Sequence, residues 1–330
     1  MSPAPLTTNI YEQQSHNKRQ TWFVMAGFIV FLAFLGFGFD LYLFGTDTFF
    51  PLGTLAAVVI GSSSAIWSLE GGAKAVLNSA GAIPADPSNP DHQQLINVVD
   101  EMAIASGLTR PAVYIIPDDD PNAFATGRNP QQSAIAVTEG LLKSLNREEL
   151  QGVVAHEMSH IRNYDIRVMT VVAALVGSIL LLSDWARRGM WIGGGRRRES
   201  RSSGGAQLGA IIFLLWLLSI ILAPLIGQLM AMMVSRKREY LADASGAELT
   251  RNPLGLASAL QKLENATAPT QSIKRGSAHL CIVDPLGKKM NFKEGAVADL
   301  LGTHPPIQKR ITALHAMAYQ LSPQSGTQTR

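Results

Sequence analysis

Long uncharged stretches constrain this chain more than any other feature of its sequence. They cover residues 21–39, 48–69, 168–183 and 208–234. A helix rises about 1.5 Å per residue and the hydrocarbon core of a bilayer is about 30 Å thick, so about 20 apolar residues are needed to span it. Residues 168–183 fall short and would need snorkelling ends or a thinner bilayer. With 47% hydrophobic and 16% charged residues, the chain is expected to be an integral membrane protein with up to four transmembrane helices.

The first two stretches are expected to form a transmembrane hairpin. Lys18 and Arg19 stand directly before the first stretch, and Asp40 and Asp47 flank the link between the two. The positive-inside preference places Lys18 and Arg19 in the cytoplasm, so the chain returns there after the second stretch. A cleaved signal peptide is disfavoured, because the polar leader is long and no small-x-small cleavage site follows.

One stretch carries the pattern H-E-x-x-H on an expected helix. His156 and His160 are four residues apart, so a helix places both on one face, where they can bind a single zinc ion. Glu157 lies beside that pair and can act as general base towards the water that attacks a peptide bond. Asn146 and Glu149 form a capping-box pattern that starts the helix. The alternative is a surface helix that happens to hold these residues.

The zinc helix is expected to continue directly into the membrane. Residues 161–167 contain neither proline nor glycine and lead into the uncharged stretch that begins at residue 168. No helix-ending signal separates the two.

The third zinc ligand must come from outside this helix, because a catalytic site takes three protein ligands and leaves one position for water. Glu239 and Asp243 lie four residues apart on another expected helix. Glu239 can therefore close the site while Asp243 bonds a ligand histidine. Taken alone, this pattern is weak, because two carboxylates at that spacing are common on exposed helix faces.

Four motifs together resemble the HtpX-type membrane zinc metalloproteases, which are relatives of the CAAX prenyl endopeptidases. The motifs are N-A-F-A-T-G at 122–127, H-E-M-S-H-I-R-N at 156–163, E-Y-L-A-D at 239–243, and T-H-P-P at 303–306 followed by Arg310. The resemblance implies a mainly α fold with a small β-sheet and a gluzincin-like zinc metalloprotease domain. It also implies a set of site residues: one zinc per chain on His156, His160 and Glu239, Glu157 as the base, Asp243 behind a ligand, and His304 and Arg310 near the substrate carbonyl.

The segment Asn122, Ala123, Phe124 and Ala125 is expected to bind substrate. On its own it is typical of an ordinary strand edge around a buried phenylalanine, but in the resembling proteins it lies alongside the cleft. An exposed edge there can pair with a substrate strand through backbone hydrogen bonds, which would let the protease accept many sequences.

The resemblance implies an endopeptidase that degrades unfolded or damaged membrane proteins and cleaves itself when it is extracted. Two alternatives remain. One is a processing enzyme for prenylated peptide ends, although such enzymes are built with more membrane segments. The other is a non-enzymatic scaffold or transporter with structural zinc, which a single cysteine disfavours. A net charge of +3 gives no argument for a nucleic-acid partner. The expected partners are peptide substrates and the lipid bilayer.

An arginine-rich loop, residues 184–201, leaves the topology of the last two stretches open. If both cross the membrane, the loop lies outside, against the positive-inside preference; if neither crosses, residues 208–234 must be shielded from lipid by protein. Full crossing is favoured, and the protease domain is expected on the cytoplasmic side of the inner (plasma) membrane in either case. The expected division is a cytoplasmic tail (1–20), the hairpin (21–69), the first protease part (70–167), two membrane segments with the loop (168–234) and the second protease part (235–330).

Overall fold

The computed structural model describes residues 10–44, 50–192, 236–266, 272–273, 277–283 and 305–321. Its helices are α1 (Ile10–Phe44), α2 (Leu52–Ser79), α3 (Pro90–Ser106), α4 (Glu139–Ser144), α5 (Arg147–Arg162), α6 (Asp165–Ile192), α7 (Arg236–Thr250), α8 (Pro253–Asn265) and α9 (Ile307–Leu321), with a 3-10 turn at Ala278–Leu280. The strands are β1 (Ile83–Pro84), β2 (Ala112–Ile116), β3 (Ala123–Asn129) and β4 (Gln132–Thr138). The expected mainly α fold with a small sheet is confirmed. The arginine-rich loop and the stretch 208–234 lie outside the described residues.

Helices α1 and α2 form a long apolar pair. Within the described residues, Glu12–Gly38 and Leu52–Ser79 are long and apolar enough to cross a membrane, with mean hydropathies of 2.1 and 1.6. The buried carboxylate of Asp40 accepts hydrogen bonds from the backbone N–H groups of Gly53 (2.6 Å) and Thr54 (2.7 Å). These N–H groups lie in the first turn of α2 and have no acceptor within the helix. Asp40 therefore caps α2 at the end of the hairpin where the two helices are linked.

The two helices are longer than the expected hairpin of residues 21–69. Helix α1 begins at Ile10 and α2 continues to Ser79. The first turns of α1 are polar, yet Asn17 and Thr21 are fully buried. Residues 10–20 of the expected cytoplasmic tail are therefore part of a continuous helix, and Gln14 and Asn17 find partners at the end of α5.

Helix α6 packs alongside α1 and α2 through a cluster of buried aliphatic and aromatic side chains. From α1 the cluster takes Val24, Met25, Phe28 and Leu32, from α2 it takes Ala65, and from α6 it takes Val168, Val171, Val172, Leu175, Val176 and Ile179. Burial of this kind is the main favourable term in helix packing. The start of α6 is thus held against the hairpin.

The sheet is mixed, with strand order β1-β2-β4-β3. Strand β2 pairs in parallel with β4, whereas β1 pairs antiparallel with β2 and β3 pairs antiparallel with β4. One face packs on α3 and α5 in the main core, and the other packs on the C-terminal end of α2 and the first turns of α6. Strand β3 is an edge strand and lies closest to α5 and α6.

The expected continuous passage from the zinc helix into the membrane is wrong. Helix α5 ends at Arg162, Asn163 and Tyr164 form a turn, and α6 starts at Asp165. Tyr164 has a φ of 61°, in the left-handed region that non-glycine residues rarely adopt. The sequence has no proline or glycine at residues 161–167 that would mark this turn. It is fixed instead by tertiary contacts with α1, which are described below.

Candidate active site

Three donor side chains converge where α5 and α7 cross. His156 and His160 project from consecutive turns of α5, and Glu239 comes from the first turn of α7. Their ligand atoms all lie within 4.8 Å of one another, and all three residues are buried. The two Nε2 atoms are 3.2 Å apart, and each lies 3.6–3.7 Å from an oxygen of Glu239.

Helix α7 reaches this position because a glycine lets it approach α5 closely. A Cβ added at Gly246 would lie 3.1 Å from the backbone nitrogen of His156 and 3.3 Å from its Cα. Few real Cβ contacts are that short, so a side chain at Gly246 would force α7 outward. The small residue therefore sets the distance between the histidines of α5 and the carboxylate of α7.

Behind Glu239 lies a buried pair of opposite charges. Arg310 of α9 donates two parallel hydrogen bonds to Asp243, from Nε to Oδ2 (2.8 Å) and from Nη2 to Oδ1 (2.7 Å). Asp243 Oδ1 lies 3.0 Å from His156 Nδ1, and Arg310 Nη1 lies 3.4 Å from Glu239. Burial disfavours the charged carboxyl of Asp243, but the guanidinium outweighs it and holds the pKa of that carboxyl below its usual range. The pair thus orients both a histidine and the carboxylate.

The second histidine is also backed by a carboxylate, which the sequence did not reveal. Asp165 Oδ2 lies 3.0 Å from His160 Nδ1. Burial opposes the protonated imidazole, but Asp165 and the nearby carboxylates raise the pKa of His160 to about 9. An aspartate five residues after a ligand histidine points away from it on a continuous helix. Only the turn before α6 brings Asp165 back, so no sequence spacing could have identified it.

Glu157 lies beside the three donors and faces the edge strand. The backbone N–H of Ala125 on that strand lowers the pKa of the Glu157 carboxyl. Complete burial raises the pKa of the Glu157 carboxyl above its ordinary value, while the two imidazoles and the Ala125 N–H oppose that rise. The strand that was expected to bind substrate therefore contributes to the electrostatic environment of this carboxylate.

The outer edge of β3 is buried rather than exposed. Asn122, Ala123, Phe124 and Ala125 are each at most 2% exposed. The N–H of Ile282 donates to the carbonyl oxygen of Ala123 at 3.0 Å, and the Asn122 amide donates to the carbonyl of Val283 at 3.0 Å. The N–H of Gly127 donates to the hydroxyl of Thr170 on α6. These contacts cover the edge on both sides of Ala125.

The donor set fits a zinc ion. Two imidazole nitrogens and one carboxylate oxygen from two rigid helices are a ligand set of catalytic zinc sites, and each imidazole has a carboxylate behind it. His304 lies outside the described residues. Arg310, expected near the substrate carbonyl, is fully buried and its guanidinium contacts Asp243, Glu239 and the carbonyl of Ile282.

Comparisons with known proteins agree with this geometry. The family model described as peptidase family M48 matches residues 89–318. A protease HtpX homolog of Caldanaerobacter subterraneus subsp. tengcongensis is 42% identical over 313 residues, which cover 93% of this chain and 98% of the relative. A protease HtpX homolog of Streptococcus gordonii is 43% identical over 309 residues, which cover 93% of this chain and 100% of the relative.

Among solved structures, the crystal structure of S. mikatae Ste24p matches with a TM-score of 0.47 and 18% sequence identity. The match covers 92% of this chain and 66% of that one.

Proposed function

This chain belongs to peptidase family M48 and to the HtpX-type membrane zinc metalloproteases within it, and on that premise we propose that His156, His160 and Glu239 hold one zinc ion per chain at the catalytic centre of an endopeptidase. The observation that carries the proposal is the convergence of the three donors within 4.8 Å next to Glu157. A surface helix that happens to hold two histidines would not bury them against a third ligand and two supporting carboxylates.

When bound, zinc supplies Lewis acidity, which polarises the scissile carbonyl and makes the attacking water more acidic. Glu157 takes a proton from that water and delivers it to the leaving amine. The Ala125 N–H and the two imidazoles favour the charged form of the Glu157 carboxyl, which is the form that accepts a proton. His304 donates a hydrogen bond to the developing oxyanion, and Arg310 supports the centre through Asp243 and Glu239. The site is gluzincin-like, since its third ligand is a glutamate.

Substrate is proposed to bind next to β3, with Asn122, Ala123, Phe124 and Ala125 lining the approach. The side chains themselves are packed inward, so recognition there uses backbone groups, which gives little sequence preference. Ile282 now bonds the Ala123 carbonyl, so a substrate strand that used this oxygen would have to replace the segment 281–283.

The membrane is the expected location of the substrates. Helices α1 and α2 expose large apolar side chains outward, among them Trp22 (57%), Phe23 (66%), Phe34 (58%), Ile60 (60%) and Trp67 (54%). Such a surface is stable against lipid but not against water. Helix α6 begins five residues after His160 and packs on both helices. We propose a cytoplasmic protease domain held at the inner (plasma) membrane, with up to four crossings, that removes unfolded or damaged membrane proteins and cleaves itself on extraction.

We expect the protein, purified in detergent and loaded with zinc, to cleave an unfolded soluble substrate such as casein and to fragment itself. A zinc chelator should stop both reactions, because the base needs the polarised carbonyl and the acidified water. Readdition of zinc should restore both. Fragments are measured by gel electrophoresis and mass spectrometry. A prenyl-processing enzyme, the remaining alternative, would leave casein intact and cut only a prenylated peptide.

The topology of the last two uncharged stretches can be tested by thiol labelling. In a Cys281→Ser background, Ser203→Cys should react with a membrane-impermeant thiol reagent added to intact cells, because full crossing places the arginine-rich loop outside. Thr46→Cys, in the expected outer link, is the labelled control, and Ser88→Cys, exposed on the protease domain, is the unlabelled one. Labelling at position 203 only after the membrane is opened would favour a hairpin that does not cross.

A further inference from the structure

The first turns of α1 pack against the turn between α5 and α6. Gln14 donates from its side chain to the carbonyl of Arg162 at 2.9 Å, and Asn17 donates to the carbonyl of Asn163 at 2.8 Å. The ammonium group of Lys18 lies 4.3 Å from the centre of the Tyr164 ring. Carbonyls at the end of α5 have lost their helical partners. Helix α1 therefore supplies the hydrogen bonds that allow the zinc helix to stop where it does.

One of these side chains reaches the metal centre itself. The amide nitrogen of Asn17 donates to Asp165 Oδ1 at 2.6 Å, while Asp165 Oδ2 faces His160 Nδ1 at 3.0 Å. The path from the amide of Asn17 to the ligand histidine thus runs through a single carboxylate. Both Asn17 and Asp165 are at most 1% exposed, so water does not compete for these bonds.

The orientation of the Asn17 amide is unambiguous. Its nitrogen faces two acceptors, the Asn163 carbonyl and the Asp165 carboxylate, and a flipped amide would put its oxygen against both. The Asn17 oxygen is buried without a hydrogen-bond partner among the residues that the structure describes. Burying an unsatisfied carbonyl is costly. The two N–H bonds of Asn17 offset this cost, and an apolar residue could not donate to the Asn163 carbonyl and the Asp165 carboxylate.

A further donor comes from the second ligand-bearing helix. Arg238, directly before Glu239, lies 3.4 Å from Asp165 Oδ1 and donates to the side-chain oxygen of Gln20 at 3.0 Å. Helix α1 thus contacts the turn that ends α5, through Gln14 and Asn17, and the first turn of α7, through Gln20. The carboxylate of Asp165 is the point at which α1, α6 and α7 meet.

From these contacts we propose that Asn17 is a positioning residue of the metal centre, acting through Asp165 on His160. The inference rests on the proposed zinc site. A carboxylate that accepts from Nδ1 fixes the tautomer of the imidazole and turns Nε2 towards the metal. Asn17 bonds Oδ1 of the Asp165 carboxylate and so keeps Oδ2 next to His160 Nδ1. The membrane anchor α1 is then part of the metal centre, not only its tether.

The test measures zinc affinity of the full-length protein in detergent by competition with a chromogenic chelator of known affinity. Removing an outer partner of a metal ligand typically weakens binding 10- to 100-fold. We expect Asp165→Asn to fall within that range and Asn17→Ala to weaken zinc binding about tenfold. Gln14→Ala is the matched comparison: it removes a bond from the same helix to the same turn without touching Asp165, and should weaken zinc binding much less than Asn17→Ala, because Asn17 still holds the turn.

A double-mutant cycle separates positioning from general destabilisation. If Asn17 acts through Asp165, then Asn17→Ala should add little once Asp165→Asn is present. Additive effects would overturn the proposal, and so would wild-type affinity in Asn17→Ala. If Asn17→Ala does not fold, Asn17→Leu, which keeps the volume and removes the donor, is assayed in its place and read in the same way. A wild-type protein that bound no zinc would instead refute the proposed metal site.

Discussion

Changing Glu157 to glutamine is expected to abolish peptide-bond hydrolysis while leaving zinc bound. The amide keeps the shape of the side chain but cannot take a proton from the attacking water, and a positioned general base is worth on the order of 10²- to 10⁴-fold in rate. The zinc donors His156, His160 and Glu239 are unaltered, so metal content should stay at the wild-type level. Casein cleavage and zinc per chain are measured on the same preparation.

The matched control for this variant is Glu148→Gln. Glu148 belongs to the same helix and is exposed at its first turn, so the same chemical change there should leave turnover intact. Full activity in zinc-loaded Glu157→Gln would show that another group accepts the proton. Loss of zinc from that variant would show that the carboxylate contributes to metal binding.

Replacing Glu239 with alanine should remove the metal as well as the activity. The two remaining histidines are too few for a catalytic zinc site, which needs three protein ligands. The change also leaves Arg310, now 3.4 Å from Glu239, with Asp243 as its carboxylate partner. We expect zinc content to fall from about one per chain to near zero after dialysis, measured by elemental analysis.

Glu248→Ala is the control for the third ligand, because Glu248 is an exposed glutamate on the same helix α7. It should retain zinc and activity. Retention of one zinc per chain by Glu239→Ala would place the third ligand elsewhere. Glu239→Gln preserves the volume of the side chain, so zinc loss in both variants separates ligation from a packing defect.

Local signals in the sequence were sufficient to predict many elements. The capping box of Asn146 and Glu149 is present as expected, with the Glu149 N–H donating to Asn146 Oδ1 at 2.9 Å and the Asn146 N–H donating to Glu149 Oε2 at 2.8 Å. Thr138 caps α4 and Asn252 caps α8, each with a single side-chain oxygen that accepts from a backbone N–H of the first turn. These contacts join residues close in sequence, so side-chain chemistry alone determines them. The relative position of His156 and His160 could also be predicted, because both residues belong to one helix.

Features that depend on distant contacts could not be predicted. The end of α5 at Arg162 depends on α1, which lies about 150 residues earlier and supplies Gln14 and Asn17. Asp165 becomes a partner of His160 only after that turn has formed. The edge of β3 was expected to be exposed, but residues 281–283 and Thr170 cover it. In each case a contact between distant parts of the chain decides the structure, and the local sequence pattern does not contain that contact.

The metal centre draws on parts of the chain that are synthesised far apart. Asn17, His156, His160, Asp165, Glu239, Asp243 and Arg310 all contribute to it. During translation the two histidines emerge more than 75 residues before Glu239, and Arg310 follows later still. A nascent chain that has already inserted its first helices therefore lacks both its third ligand and the cation behind it. Peptidase activity is therefore expected only after α7 and α9 have been synthesised, because a shorter chain holds two of the three proposed zinc ligands.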